Sequence, residues 1–245
     1  AGTSQNPYQI ATCDQLQEIE TNLTAHYTLA NDIDCSATNV WNSGWGFTPI
    51  SIFSGELDGN DHIIHDFHIN YWSTSGLFQF IDTTGVVKNL TLKGTITSSG
   101  SGAGIFVGSI ASQNLGTIRS VHADVDISSS TTVGGLVADN HGLIEKSYSS
   151  GNISLLNATG VGSAGGLVGV NGTPSQAGVI RDSYATGSIT GVSNAYWRHC
   201  GGLIGTALNS TIQRTYSSGS VSCPSSDSSA SSAGLVGYGG GYTQT

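Results

Sequence analysis

The stretch GGLVGVNGTPSQAGVIRDSYATGSI, Gly165–Ile189, decides the fold. Its glycines and serines have the composition of a flexible linker. Yet Leu167, Val168, Val179, Ile180, Tyr184 and Ile189 are residue types that proteins bury. Repetition reconciles the two. SGLFQ (75–79), GIFVG (104–108), GGLVA (134–138), GGLVG (165–169), GGLIG (201–205) and AGLVG (233–237) align on Leu77, Phe106, Leu136, Leu167, Leu203 and Leu235, at spacings of 29, 30, 31, 36 and 32. A second box follows each of the first five: GVVKNLTLKGTI, GTIRSVHADVDI, GLIEKSYSSGNI, GVIRDSYATGSI and STIQRTYSSGSV. Two-box units and a closing half-unit therefore run from Ser75 to Gly237.

Within a unit the apolar runs are short and separated by Gly, Ser, Asn and Thr, which reads as strands and tight turns. One unit cannot bury its apolar side alone, whereas stacked units share a continuous core. Length variation falls at Thr173–Ala177 and Ser193–His199, where extra residues would bulge outward as loops. The fold expected is all-β: a right-handed parallel β-helix of about six or seven coils, with a short N-terminal capping helix. At the spacing of stacked strands it would be a rod about 30 Å long. The glycines beside each Leu would serve positive φ or close backbone approach. No G-x-G-x-x-G opens a helix and no G-x-x-x-x-G-K-[ST] is present, so they do not read as a phosphate loop.

Residues 1–74 differ. Thr12 and Gln15 stand in capping-box positions before Leu16, Ile19 and Leu23, which predicts a short amphipathic helix. Tyr27, Leu29 and Ile33 then alternate as a strand. An open solenoid end exposes core and strand edges, so a helix is expected to cover it. The expected organisation is a cap and first strands over 1–74 and repeats over 75–245 of one domain.

The motif GGLVG…N…G-x-I-x-x-SYATG-x-I resembles the GLUG-motif repeats of bacterial surface and secreted proteins. PYQIATCDQLQEIETNLTAHYTLANDIDC…FTPI…FSGELDGNDHIIHDFHI is similar to the region that often precedes such repeats. The resemblance implies an adhesin-like or filamentous-haemagglutinin-like context, or a place beside a peptidase domain of the immunoglobulin-A-cleaving type, where the repeats are not the catalytic part. In the first two rungs NLTL and SVHA stand where the pattern has SYAT.

Composition narrows the function. Charged residues are only 9% of the chain, and the net charge is −9 (Lys+Arg 7 against Asp+Glu 16). No basic stripe exists to neutralise phosphates, so nucleic acid is not an expected partner. No window reaches the run of about 18 apolar residues that a membrane span needs. Methionine is absent and Cys13/Cys35 and Cys200/Cys223 form two local pairs without a C-x-x-C knuckle. Two local disulfides are favoured, each closing a loop of about twenty residues and worth roughly 3 kcal/mol. Four buried thiols in a reducing compartment are the alternative. Asn-x-Ser/Thr occurs at Asn22, Asn89, Asn152, Asn157, Asn171 and Asn209, which matters only in a glycosylating host.

Several residue groups invite chemistry. His62, His65 and His68 sit three apart, but Phe53, Leu57, Ile63, Phe67 and Ile69 share odd parity, so a strand would spread the histidines too far for one ion. Glu56, Asp58, Asn60 and Asp61 offer calcium a density of oxygens without EF-hand spacing, and a type I′ turn at Asp58-Gly59-Asn60 explains the same residues. No cofactor or metal is otherwise called for. Asp124 and Asp126 are spaced as glycosidase carboxylates can be, and a solvated strand face gives the same pattern. Thr91, His122, Tyr148, Tyr184 and Tyr216 recur as one column, with Lys88, Arg119, Lys146, Arg181 and Arg214 as a column of cations. These are either rung-to-rung packing or an aromatic strip for glycan rings. Trp41, Trp45, Trp72 and Trp197 are further surface-contact candidates. The function expected is a non-catalytic adhesion or binding module, or rigid stalk, of a secreted or cell-surface bacterial protein. Its partner would be a host or matrix glycan or protein, and it could be part of a larger surface protein. A polysaccharide hydrolase or lyase on the same fold is the alternative.

Overall fold

Most strands have two to five residues and cannot stand alone, so each repeat takes the next as its partner. The computed structural model describes all residues except 101, 103, 157–161, 192–196, 225–229, 242 and 245, and the side chains of 197 and 198. The chain is all-β, and among the described residues its strands pair in parallel in sheets of seventeen, seven and five strands. The seven-stranded sheet runs in chain order through Ile50–Phe53, Phe78–Ile81, Ala111–Asn114, Val137–Asn140, Val168–Asn171, Ile204–Leu208 and Val236–Gly240. Each neighbour is thus one repeat further along the chain, the connectivity of a β-helix-like stack.

Parallel register turns repetition into columns. Tyr27, Leu57, Val87, Ile118, Ile144, Ile180 and Ile212 are consecutive partners. Ile69, Ile96, Ile127, Ile153, Ile189 and Val221 form a second column. All but the terminal Val221 are buried. Full burial of each such side chain contributes about 1.5–3 kcal/mol. The first column crosses position 74 without a break, so the N-terminal segment stacks on the repeats.

The box column corrects one alignment. Leu77, Leu136, Leu167 and Leu203 are fully buried, but Phe106 is only partly buried. Ile110 fills its place: the Phe78 N–H donates to the Ile110 carbonyl, and the Ile110 N–H donates to that of Leu136. Phe106 instead pairs with Thr132 in the five-stranded sheet. FVG and SIA each carry a large apolar residue, and inter-strand hydrogen bonding decides which one enters the column.

Position, not φ, explains the doubled glycines. None of Gly135, Gly166 and Gly202 has positive φ. A Cβ on Gly166 would lie 2.1 Å from the Gly202 carbonyl oxygen, so the backbones of successive rungs pack directly on each other.

The helix forms as Cys13–Gln17, followed by a 3-10 turn over Glu18–Thr21, with Leu16 and Ile19 buried. Thr12 Oγ1 accepts from the Gln15 N–H, but Gln15 Oε1 accepts from Ala11, not from the cap residue as a capping box requires. The helix lies against Ile50–Phe53, the edge strand of the seven-stranded sheet. Gln17 Nε2 donates to the Thr48 carbonyl and its Oε1 accepts from the Thr48 N–H, while Glu20 accepts from the Ser51 N–H and Oγ. Side chains thereby do for this edge what another strand would do, and the edge is closed. Tyr27–Leu29 pairs with one further strand, Tyr8–Ile10, which the sequence pattern did not single out. Cys13 is bridged to Cys35 and Cys200 to Cys223, as expected from their pairing in sequence.

Two turns depart from expectation. Left-handed φ falls on Asn60 and Asp61, not on Gly59, and Glu56–Asp58 and Ile63–Tyr71 pair with other rungs, not with each other. This is a solenoid corner, not a type I′ hairpin. Parity also switches inside Ile63–Tyr71: a register shift between Ile64 and Phe67, with Asp66 at φ 56°, buries Ile64 and leaves Ile63 half-exposed.

Asn114, Asn140 and Asn171 form a buried amide ladder. Asn114 Nδ2 donates to Asn140 Oδ1 at 2.7 Å and Asn140 Nδ2 to Asn171 Oδ1 at 2.6 Å. Each also satisfies the corner backbone of its own rung, at Gly116, Gly142 and Gly178. The Asn171 sequon is therefore closed to glycosylation in the folded chain.

Two stability outcomes follow. Gly166→Ala should destabilise by about 1–3 kcal/mol through overpacking, whereas Gly234→Ala, with nothing within 4 Å of its Cβ, should change stability by less than about 1 kcal/mol. Asn140→Leu should cost about 2–6 kcal/mol, because two buried amides each lose a partner at about 1–3 kcal/mol. Urea unfolding midpoints measure all three; equal midpoints for the two glycine variants would contradict the close-approach account.

Candidate functional site

In the second box Ser183 and Ala185 turn inward and Tyr184 outward, and register repeats this on each rung. At the strand spacing of about 4.8 Å, outward rings in one column can only lie face to face. His122–Tyr148, Tyr148–Tyr184 and Tyr184–Tyr216 have ring centroids 4.0, 4.5 and 4.7 Å apart, with planes tilted by 18°, 10° and 7°. Thr91 precedes His122 in register. Tyr216 is the most exposed of these four rings, at 54%. Beside His122 and Tyr148 lies a shallow cleft of about 240 Å³, lined also by Asp61, Asn89, Ser120 and Lys146.

Stacking perturbs the ionisable members. Burial pushes the Tyr184 hydroxyl pKa up, and Tyr148 and Tyr216 add to the effect. Burial also pushes the His122 pKa down, with Asp124 opposing and Lys93 reinforcing. His122 Nε2 lies 2.8 Å from Ser150 Oγ, which donates to Asp124 Oδ1. The serine thus lies between imidazole and carboxylate, whereas an activated nucleophilic serine meets an imidazole that the carboxylate orients from its far side.

The cations do not form one strip. Lys88, Arg119, Glu145 and Arg181 share a register, whereas Lys146 and Arg214 belong to the left-handed corner residues beside it, at φ 50° each. Arg181 reaches Glu145 at 2.7 Å and Arg214 holds Asp182 through two hydrogen bonds. That pairing holds the Asp182 carboxyl below its usual range. Arg181 and Arg214 are therefore engaged by neighbouring acids, while Lys146 lines the cleft beside the ladder.

The remaining candidates separate. Lys88 Nζ lies 2.9 Å from Glu56 and 3.3 Å from Asp58, supplying the positive charge that calcium would bring. The hydrogen bond that Lys88 donates to Glu56 is the largest cause raising the Lys88 pKa, against the opposing effect of burial. His62 faces Asp32, His65 faces Asp66 and His68 faces Thr95, so each imidazole has a separate partner. Asp34, His65 and Asp66 bring ligand atoms within 4.8 Å of one another at the exposed surface. Asp124 meets Lys93 and Ser150, while Asp126 accepts from Asn152. Trp41 is half-buried against core Phe47, Trp45 packs on Tyr71, and the Trp197 side chain lies outside the described residues. Of the proposed ligand residues, the structure thus joins Tyr148, Tyr184 and Tyr216 and separates Trp41 from Trp45. Sequence reasoning left Tyr71 out, although it directly precedes Trp72, and gave the recurring Asn of the repeat no role. The buried Asp139–His141 pair, 3.0 Å apart, carried no sequence signal.

Residues 160–190 match the GLUG motif. The chain is 41% identical to halomucin of Haloquadratum walsbyi over 114 residues, 44% of this chain and 1% of that protein. It is 34% identical over 132 residues to a Gly-rich membrane protein of Evansella cellulosilytica, covering 51% of this chain and 15% of the other. The chain thus spans a small fraction of the curated relatives it matches. An immunoglobulin A1 protease-like protein of Bacteroides ovatus superposes with a TM-score of 0.67 at 20% identity, over 99% of this chain and 76% of that one. At that identity the likeness is one of fold. Among the described residues no helix is long and apolar enough to cross a membrane.

The His122 shift sets a pH expectation. Its folded pKa lies below the ordinary value of about 6.5, so the unfolded chain takes the proton first as pH falls. Stability held above pH 6.5 is lost as pH drops through the lower folded value. His122→Phe keeps a ring in the stack and should flatten the fall in urea midpoint between pH 7.5 and 5.5. An undiminished fall would assign it to other groups.

Proposed function

Because this chain is a GLUG-motif repeat protein, we propose that it is a non-catalytic binding module, or the rigid stalk that carries one, of a secreted or cell-surface protein. The single observation that carries the reading is the four-ring ladder His122–Tyr148–Tyr184–Tyr216 on one outward face. Such a face offers many equivalent shallow contacts along its length, and weak contacts of that kind add. A host or matrix glycan or protein is the partner whose extended form matches it.

The rod is taken as right-handed, the usual hand of parallel crossovers. Its coil number of six or seven accords with the seven-stranded sheet. A surface location draws support from the halomucin and membrane-protein relatives and from the two disulfides. A larger surface protein as context accords with the small share of those relatives that the chain spans. The reading invokes no cofactor. Against the polysaccharide hydrolase alternative stands the engagement of Asp124 and Asp126 by Lys93, Ser150 and Asn152.

A glycan and matrix-protein array with the purified chain tests the reading. Binding is expected, and the double variant Tyr148→Ala/Tyr184→Ala should lower the affinity about tenfold or more. Undiminished binding by that variant would remove the ladder from the site. An array without any hit would leave the stalk role, and new reducing ends from a polysaccharide would favour the hydrolase.

A further inference from the structure

A second aromatic group, away from the ladder, centres on Trp45, Tyr71 and Trp72. Trp45 and Trp72 are 40% and 57% exposed, unusual for side chains of this size in a chain whose other aromatics mostly pack inward or on each other. Tyr71 links them: its ring meets Trp45 edge-on at 5.1 Å and lies nearly parallel to Trp72 at 5.8 Å. Two clefts open on these rings. One of about 300 Å³ adds Asn42, Phe47 and Thr48, and one of about 190 Å³ adds Ser43, Asn70 and Ser99. Among the described residues no Asp, Glu, Lys, Arg or His lines either cleft.

The platform is fixed without a ligand. The Trp45 carbonyl accepts from the Asn70 N–H at 2.8 Å, and Gly46 bridges to Ile69. Gly46 has φ 88°, and a Cβ there would lie 2.3 Å from the His68 carbonyl oxygen, so no other residue lets the loop lie this close. Asn42 Nδ2 donates to the Gly46 carbonyl and to Thr48 Oγ1. Asn42 and Ser43 are both held in the left-handed region, at φ 52° and 60°, a local strain that the surrounding contacts sustain.

Exposed aromatic rings bordered by amides and hydroxyls match the two sides of a sugar ring. The axial C–H face packs on the rings, and the hydroxyls exchange hydrogen bonds with Asn, Ser and Thr. A charged ligand would find no counter-ion among the lining residues. We propose that Trp45, Tyr71 and Trp72 form a binding subsite for a neutral pyranose within an oligosaccharide chain. The inference rests on the reading of the chain as a binding module and adds to it a ligand class and a place distinct from the tyrosine ladder.

The test titrates the intact chain with cellohexaose, xylohexaose, mannohexaose, maltohexaose and chitohexaose, and with oligogalacturonate and hyaluronan as acidic counterparts. Tryptophan fluorescence and calorimetry are the readouts. At least one neutral probe should saturate, with affinity lowered about tenfold or more by Trp72→Ala and by Trp45→Ala, and less by Trp72→Phe. Near-ultraviolet circular dichroism and urea midpoints check that the variants fold. The subsite is overturned if no neutral probe saturates, if only acidic probes bind, or if the folded Trp variants bind as the parent does. A change of sedimentation state in Trp72→Ala without a change in sugar affinity would make the patch a protein contact and equally overturn it. Sugar binding lost only in Tyr148→Ala/Tyr184→Ala would overturn this subsite and leave the ladder reading intact. Loss only in the Trp variants would do the reverse.

Discussion

Parallel hydrogen bonding between successive rungs is the constraint on which the rest of the structure depends. A parallel ladder fixes the partner of every residue one repeat away, at a separation of about 4.8 Å. Whatever chemistry stands at a position is therefore repeated against itself. Apolar residues in that register give continuous core columns, and amides give the Asn114–Asn140–Asn171 ladder. Rings give the stacked face from His122 to Tyr216. Like charges directly opposite repel, and this charged column mixes signs: Lys88 stands between Asp58 and Arg119, and Glu145 between Arg119 and Arg181.

The same constraint makes the ends costly, because a terminal rung offers unpaired backbone. At the N-terminal end the answer is local and made by side chains. Gln17 and Glu20 present amide and carboxylate groups to the backbone of Thr48 and Ser51, so a short helix closes a strand edge. The N-terminal segment also supplies the exposed Trp45–Tyr71–Trp72 group, where irregular loops leave the repeat geometry. Regular rungs and irregular cap thus provide two different kinds of surface on one rigid frame.

Much of the fold was legible because its signal is periodic. Five occurrences of the second box place Ile144, Ile180 and Ile212 in one column, and the Tyr column follows from the same count. Errors arose where periodicity is locally ambiguous. Phe106 and Ile110 are large apolar residues only four positions apart, and Ile63 and Ile64 are equal candidates until a bulge at Asp66 selects Ile64. The Asn of the repeat was visible as a recurring letter, but its role depends on burial and on a partner about thirty residues away. Tyr71 belongs to a cluster made only when residues 42–48 fold across the strand that ends there.

The sequence by itself determined the repeat, most of the core columns and the local grouping of the cysteines, since each rests on residue type and spacing alone. The tertiary structure decided which charges neutralise each other, which glycines are irreplaceable and which aromatics meet. Those outcomes depend on distances between rungs and loops that residue order does not specify and that stacking and loop packing set.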